Sequence, residues 1–220
     1  MSPMKAFVAR HGETEWNLVY REQGHLDSPL TSRGLEQAEA LARRLAGLRV
    51  DLVYTSDLGR AHQTAEVIAA RSGVDLCIDV GLRERNMGIF QGLTPAEIEQ
   101  RYPAELQDYK TLGYDHAIPG GESARQRTER AVRTMTGIAA RHPDARVAVV
   151  THGGFLKGFF EHVLGIEHGD GWRFHRHNAS LSIFRHEERG WSLESWNDTG
   201  HLDGVGSLSD PALLLSNRQE

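Results

Sequence analysis

Apolar positions along the chain fall into short solid blocks, separated by stretches where they recur every three or four residues. The blocks are Ala6-Phe7-Val8-Ala9, Asp51-Leu52-Val53-Tyr54-Thr55, Leu76-Cys77-Ile78 and Arg146-Val147-Ala148-Val149-Val150. Short continuous runs of this kind read as buried strands. Leu35, Ala38, Leu41, Ala42 and Leu45 stand at helical spacing, so residues 31 to 47 read as a helix with Thr31 as N-cap and Gly47 at its end. A second helix, capped by Ser56 or Asp57, runs to about Arg71. Thr94-Pro95-Ala96-Glu97 joins a capping box to a proline at the first helical position, which predicts a helix to about Tyr102, ahead of Pro103.

Residues 103 to 120 read as less regular. Ser123 with Gln126 forms another capping box and opens a long helix, in which Ala131, Met135 and Ile138 make a core stripe. Phe155, Leu156, Phe159 and Phe160 place a helix directly after the block at 146–150. Two strands, Ala179 to Arg185 and Trp191 to Trp196, follow with Gly190 in the turn between them. Residues from about Val205 read as a tail, so the expected division is a domain over 1–204 and a tail over 205–220.

Composition narrows the function classes. A chain of 220 residues with 39% hydrophobic and 25% charged residues is long enough to bury a sizeable core. Its net charge of −5 argues against a general nucleic-acid binder, yet a pocket can be locally positive and take an anionic substrate. The single cysteine, Cys77, excludes an internal disulfide and reads as a small buried hydrophobe; a reducing compartment, the cytoplasm, is expected. Arg10 and His11 interrupt the first apolar run, so no signal peptide is expected, and no run of about 18 apolar residues predicts a membrane span.

The chemistry gathers at the ends of the predicted strands. The first ends on Arg10-His11-Gly12-Glu13-Thr14-Glu15-Trp16-Asn17. In open α/β sheets ligands bind beyond the carboxyl ends of strands. A neutral imidazole such as His11 is a nucleophile near neutral pH, and attack on phosphorus would divide one difficult displacement into two. Arg10 brings a permanent planar charge suited to phosphate oxygens, Asn17 a neutral donor, and Gly12 room for close approach of the backbone to a ligand. Arg60, in the first turn of a helix after a strand, is placed for an anion that the helix end also favours. The strand at 146–150 repeats the pattern with Thr151-His152-Gly153-Gly154, where a helix N-terminus offers backbone donors. Glu84, between Arg83 and Arg85, is either a surface ion-pair partner or a general acid for the leaving oxygen.

Other chemistries are poorly supplied. His168, His175 and His177 lie close in sequence, and the last two could share a strand face, but acidic or cysteine partners at metal-ligand spacing are missing. No metal site is expected. There is no GxxxxGK phosphate loop of an NTPase.

The string RHGETEWN resembles the signature of the histidine phosphatase superfamily, also called the phosphoglycerate mutase-like family, and the resemblance runs over roughly residues 5 to 200. Ser56-Asp57-Leu58-Gly59-Arg60-Ala61-His62-Gln63-Thr64-Ala65 resembles its second motif, Leu82-Arg83-Glu84 with Gly88 and Gln91-Gly92 its acid motif, and Thr151-His152-Gly153-Gly154 its second-histidine motif. Asn197 to Leu202 resembles a segment found late in bacterial members. The resemblance implies an α/β three-layer sandwich, with a mostly parallel sheet, helices on both faces and a helical flap over about 85–120. It implies His11 as nucleophile, Glu84 as acid and then base, His152 stabilising the transferring phosphoryl group, and Arg10, Arg60, Asn17, Gln23 and the Gly153 N–H around the phosphate. The implied activity is metal-independent, cofactor-free hydrolysis of a phosphomonoester of a small metabolite through a phosphohistidine. Nucleic acid and membrane are not expected partners, and a homodimer is left open.

Two alternatives stand beside it. Mutases of the family carry a longer insertion between acid and second histidine, with basic residues for the substrate carboxylate. Here Glu84 and His152 are 68 positions apart, and no paired arginines precede Pro119-Gly120-Gly121, so the phosphatase is favoured over a cofactor-dependent phosphoglycerate mutase. A catalytically dead phospho-ligand binding module is disfavoured because every named part is present. The physiological substrate is not legible.

Overall fold

The computed structural model describes residues 3–166 and 173–207. Each solid apolar block is a strand: β1 is Met4–Arg10, β2 Leu52–Thr55, β3 Leu76–Ile78 and β4 Arg146–Thr151. A hairpin of β5 (Leu181–Glu187) and β6 (Gly190–Asp198) completes one six-stranded sheet in the order β3-β2-β4-β1-β5-β6. The pairings among β1 to β4 are parallel, whereas β5 runs antiparallel to both β1 and β6.

Strand side chains alternate, and the alternation divides the core between two faces. Phe7 and Ala9 of β1 and Ala148 and Val150 of β4 join a cluster with α2 (Ser32–Gly47) and α3 (Gly59–Ser72). Met4, Ala6 and Val8, with Val147 and Val149, join a second cluster with α6 (Ala124–Arg141) and α7 (Gly153–Leu164). Buried on both faces, β1 and β4 need apolar residues at nearly every position, which is why they read as solid blocks. The α/β sandwich with helices on both faces is therefore as expected.

Between β3 and α6 in the sequence the chain builds a smaller unit with a core of its own. After the four-residue helix α1 (Glu15–Leu18), the later segment carries α4 (Pro95–Arg101) and α5 (Pro103–Thr111). Met87, Phe90, Ile98, Leu106 and Ile118 form a third, separate cluster there. This is the helical flap, more regular than the sequence reading of 103–120, because α5 occupies half of it. Only Leu106 of α5 is buried, so its weak apolar stripe carried little periodic signal.

Other expectations need correction. Leu35 lies in α2 as its spacing predicts, but is 41% exposed while Ala38, Leu41, Ala42 and Leu45 are buried. α3 is capped by neither Ser56 nor Asp57: its N-cap is Leu58, with no side-chain bond of its own. Gly190 opens β6 instead of sitting in the turn, which consists of Glu188 and Arg189, and β5 begins at Leu181 because Ala179 takes a positive φ of 54°. His175 and His177 lie in a loop and share no strand face. Cys77 is only partly buried. His168 and most of the expected tail, residues 208–220, lie outside the described residues.

Candidate active site

The parallel register creates the site. Arg10 of β1 pairs with Thr151 of β4, so the next residues, His11 and His152, leave the sheet side by side. Their ring centroids are 5.2 Å apart, and both residues are buried, at 2% and 0% exposure.

His11 is held in one tautomer. Its Nδ1 lies 2.7 Å from the Gly12 carbonyl oxygen, which can only accept, so Nδ1 carries the proton. Arg60 Nε, which can only donate, reaches His11 Nε2 at 3.3 Å, so Nε2 presents its lone pair. Burial, then the charges of Arg60 and Arg10, push the His11 pKa well below its ordinary value, while the Gly12 bond partly opposes the shift. The ring is neutral and oriented, as a nitrogen nucleophile must be.

Arg60 is 2% exposed and heavily bonded. Its Nη1 donates to Leu26 O at 2.8 Å and to Asp27 Oδ1 at 3.0 Å, and its Nη2 donates to Gly24 O at 2.9 Å. Asp27 also accepts from the backbone N–H groups of Gly59 and Arg60. The α3 N-terminus is thus occupied by a carboxylate from a distant loop, and the expectation that this helix end serves an anion is corrected. Arg10 donates from Nη1 to Arg176 O at 2.6 Å.

Gly12 serves packing more than ligand approach. A Cβ there would lie 2.5 Å from the carbonyl oxygen of Gly34 in α2. Asn17 is bonded on one side of its amide: its Oδ1 accepts from Thr14 N and Thr14 Oγ1, both at 3.0 Å, and from Asn178 Nδ2 at 3.1 Å. Its Nδ2 is the group left to donate. Gln23 joins this network through Nε2 to Thr14 Oγ1 at 2.9 Å, while its buried Oε1 has no partner.

Glu84 sits across from these groups at the N-terminus of α7. Its Oε1 accepts from Arg85 N at 2.7 Å and Phe155 N at 3.1 Å, and its Oε2 from Gly154 N at 2.9 Å. Two of the donors that the α7 end was expected to offer a ligand are therefore taken by Glu84; Gly153 N–H precedes them. His152, the N-cap of α7, makes no side-chain bond to the helix, and both its ring nitrogens are buried without a partner. Burial, then Arg60, His11 and Arg10, hold its pKa well below the ordinary value.

All eight expected site residues thus gather where β1, α3, the 84 loop and β4 meet. Several supporting residues escaped the sequence reading. Asn178 is fully buried and donates to His11 O at 3.2 Å as well as to Asn17. Thr64 Oγ1 accepts from Gly12 N at 3.1 Å, and Gln37 Oε1 from Glu13 N at 2.8 Å. Asp27, in a Gly- and Pro-marked loop, had a weak local signal; Asn178 had none, because its partners are more than 150 positions away. Among the described residues, no three His, Cys, Asp or Glu side chains stand together in a way that could hold a metal ion.

Residues 6–199 match the sequence profile of the histidine phosphatase superfamily, branch 1. A metal-independent phosphoserine phosphatase of Arabidopsis thaliana is 37% identical over 204 residues, which cover 91% of this chain and 84% of the relative. A phosphoglycerate mutase-like protein of the same plant is 36% identical over 205 residues, covering 91% of this chain and 88% of the relative. The solved structure of a mycobacterial glucosyl-3-phosphoglycerate phosphatase with VO3 superposes with a TM-score of 0.78 at 30% identity, covering 89% and 99% of the two chains. With a match over most of its length and these relatives, the chain belongs to the histidine phosphatase superfamily.

Proposed function

We propose that this protein hydrolyses phosphomonoesters of small metabolites through a phosphohistidine on His11, with no metal in the reaction. The observation that carries the reading is the His11 tautomer: Nδ1–H is spent on the Gly12 carbonyl and the Nε2 lone pair is directed toward Arg60. The phosphatase relatives support it, one of them described as metal-independent.

Nε2 attacks phosphorus and the P–O bond to the alcohol breaks. The electron pair of that bond goes to the leaving oxygen, which takes a proton from Glu84. The ring gains positive charge in this step, and the Gly12 carbonyl on Nδ1–H stabilises it. Water then attacks phosphorus, Glu84 recovers a proton from it, and the P–N bond breaks to return neutral His11. Arg10, Arg60 and His152 stabilise charge on the phosphoryl oxygens, with Asn17 Nδ2, Gln23 and Gly153 N–H as neutral donors. The buried, unpartnered nitrogens of His152 suit a ligand that supplies the missing bond.

The match over 6–199 and the single sheet support one domain over 1–204 with a tail over 205–220. The lone Cys77 is in keeping with a cytoplasmic site, and among the described residues no helix is long and apolar enough to cross a membrane. A mutase is the second reading, favoured by the mutase-like relative. Phosphate release from a panel of phosphomonoesters in EDTA, beside a 3-phosphoglycerate isomerisation assay with 2,3-bisphosphoglycerate, separates them. Release without isomerisation is expected. Efficient isomerisation with little release would overturn the hydrolase.

A further inference from the structure

Arg130, on α6, touches none of the phosphate-site residues with its guanidinium except the backbone of Glu84. All five of its N–H groups are nevertheless engaged. Nε donates to Glu122 Oε1 at 2.8 Å and Nη2 to Glu122 Oε2 at 2.7 Å, a bidentate ion pair. The remaining three reach backbone carbonyls of one loop: Nη1 to Gly81 O at 2.9 Å and Arg83 O at 2.7 Å, and Nη2 to Glu84 O at 3.0 Å.

Glu122 extends the clamp to the other side of Glu84. Its Oε2 accepts from Asn86 N at 3.0 Å, its N–H donates to Asn86 O at 2.9 Å, and its carbonyl accepts from Arg85 Nε at 2.9 Å. His25 Nε2 adds a second donor to Glu84 O at 2.9 Å. Burial alone would raise the Glu122 pKa, but the hydrogen bond and charge of Arg130 bring it below the usual carboxylate value, so the pair is ionic. The loop has little regular structure of its own between the 3-10 turns at Val80–Leu82 and Gly88–Phe90. Its shape is set by Arg130 and Glu122 together, with His25 adding one bond.

We propose that the Arg130–Glu122 pair is the positioning device that sets Glu84 for proton transfer. The proposal rests on the reading of Glu84 as the general acid. A proton donor must stand within hydrogen-bond reach of the leaving oxygen, and about 1 Å of misplacement can lose about 100-fold in rate. Main-chain atoms of Glu84 are held by Arg130 and His25, and its carboxylate by the α7 N-terminus, so the residue is fixed at both ends and its position follows that of the loop. A lysine at 130 keeps the charge but offers three donors from one atom, which cannot span a carboxylate and three carbonyls together.

The test compares Arg130→Lys, Glu122→Gln and Glu84→Gln with the unaltered enzyme. kcat/KM is measured on p-nitrophenyl phosphate, whose leaving group needs little protonation, and on the alkyl phosphate hydrolysed best in the panel. Arg130→Lys is expected to lose about tenfold more on the alkyl ester than on the aryl ester, with Glu122→Gln following the same trend. Arg130→Lys added to Glu84→Gln is expected to cost the alkyl ester little more. Equal losses on both esters for Arg130→Lys and Glu122→Gln, with Glu84→Gln still discriminating, would overturn the positioning role alone. Failure of Glu84→Gln to discriminate would overturn the acid assignment and this proposal with it. Should Arg130→Lys fail to fold, Glu122→Gln, which keeps the size and an acceptor, decides.

Discussion

The two strand-to-histidine turns look alike in sequence and lie side by side, yet their surroundings differ. His11 is bonded at both ring nitrogens, by a carbonyl it must donate to and an arginine it must accept from. His152, although fully buried, has neither nitrogen bonded. After His11 the chain turns into a loop seated on Gly34, whereas after His152 it enters α7, whose first donors hold Glu84. The difference teaches that a strand ending in His-Gly does not specify a role. The fixed tautomer of His11 suits the nucleophile proposed for it, and the unpartnered buried imidazole of His152 suits the phosphate-binding role proposed for it.

The strongest way to break the comparison is to remove each ring. His11→Ala is expected to lower kcat by at least about 10³-fold with an unchanged melting temperature, and to leave no acid-labile label after mixing with labelled substrate. His152→Ala is expected to cost about 10²-fold while the label still forms. A labelled His11→Ala protein, or an unlabelled His152→Ala protein, would reverse the two roles.

The glycines after the histidines sharpen the contrast. In Gly12→Ala the new Cβ meets the Gly34 backbone at 2.5 Å, and backbone has little room to yield. A stability loss of about 1–3 kcal/mol is expected, read from the denaturant midpoint. In Gly154→Ala the Cβ meets the end of the Glu84 side chain. This variant is expected to keep more of its stability and to lose activity mainly on alkyl phosphates. Equal destabilisation of the two would remove the distinction.

The smallest effect is in pH. Both imidazoles have pKa values depressed in the folded state, first by burial and then by arginine charge. Between those values and the unfolded value of about 6.5 the unfolded chain binds more protons, so the contribution to stability is full above about pH 6.5 and declines as pH falls through that window. His152→Gln is expected to flatten this decline, measured by thermal unfolding from pH 7 to 5. For the same reason the acid limb of kcat/KM due to His11 should lie below about pH 6.5, and a midpoint at or above that value would contradict a neutral, buried nucleophile.

Much of this was legible in the sequence because it is local. β1 and β4 are apolar at consecutive positions, since both their faces are covered, and that leaves a mark no alternation would. Thr94 with Glu97 and Ser123 with Gln126 close reciprocal bonds within four residues, and both capping boxes are present as read. What failed was also informative. The α3 start could not be read correctly from its neighbours because its N-cap, Leu58, offers no side-chain bond and its first N–H groups donate to Asp27, 32 positions before Gly59. Leu35 has helical spacing but looks outward, since spacing defines a stripe and packing alone decides which residues at its edge are covered.

The sequence by itself determined most of the strands, the ends of most helices and the residue types of a phosphate-handling site, because periodicity, caps and strand-end motifs act within a few residues; the layered α/β architecture was legible only through the family resemblance. Only the tertiary structure decided how those residues are prepared. The tautomer of His11 needs Arg60, the amide of Asn17 needs Asn178, and the loop of Glu84 needs Arg130, partners 49, 161 and 46 positions apart. Hydrogen bonds between such distant groups exist only after β1 and β4 have paired and the helices have closed over both faces, so no local pattern could have announced them.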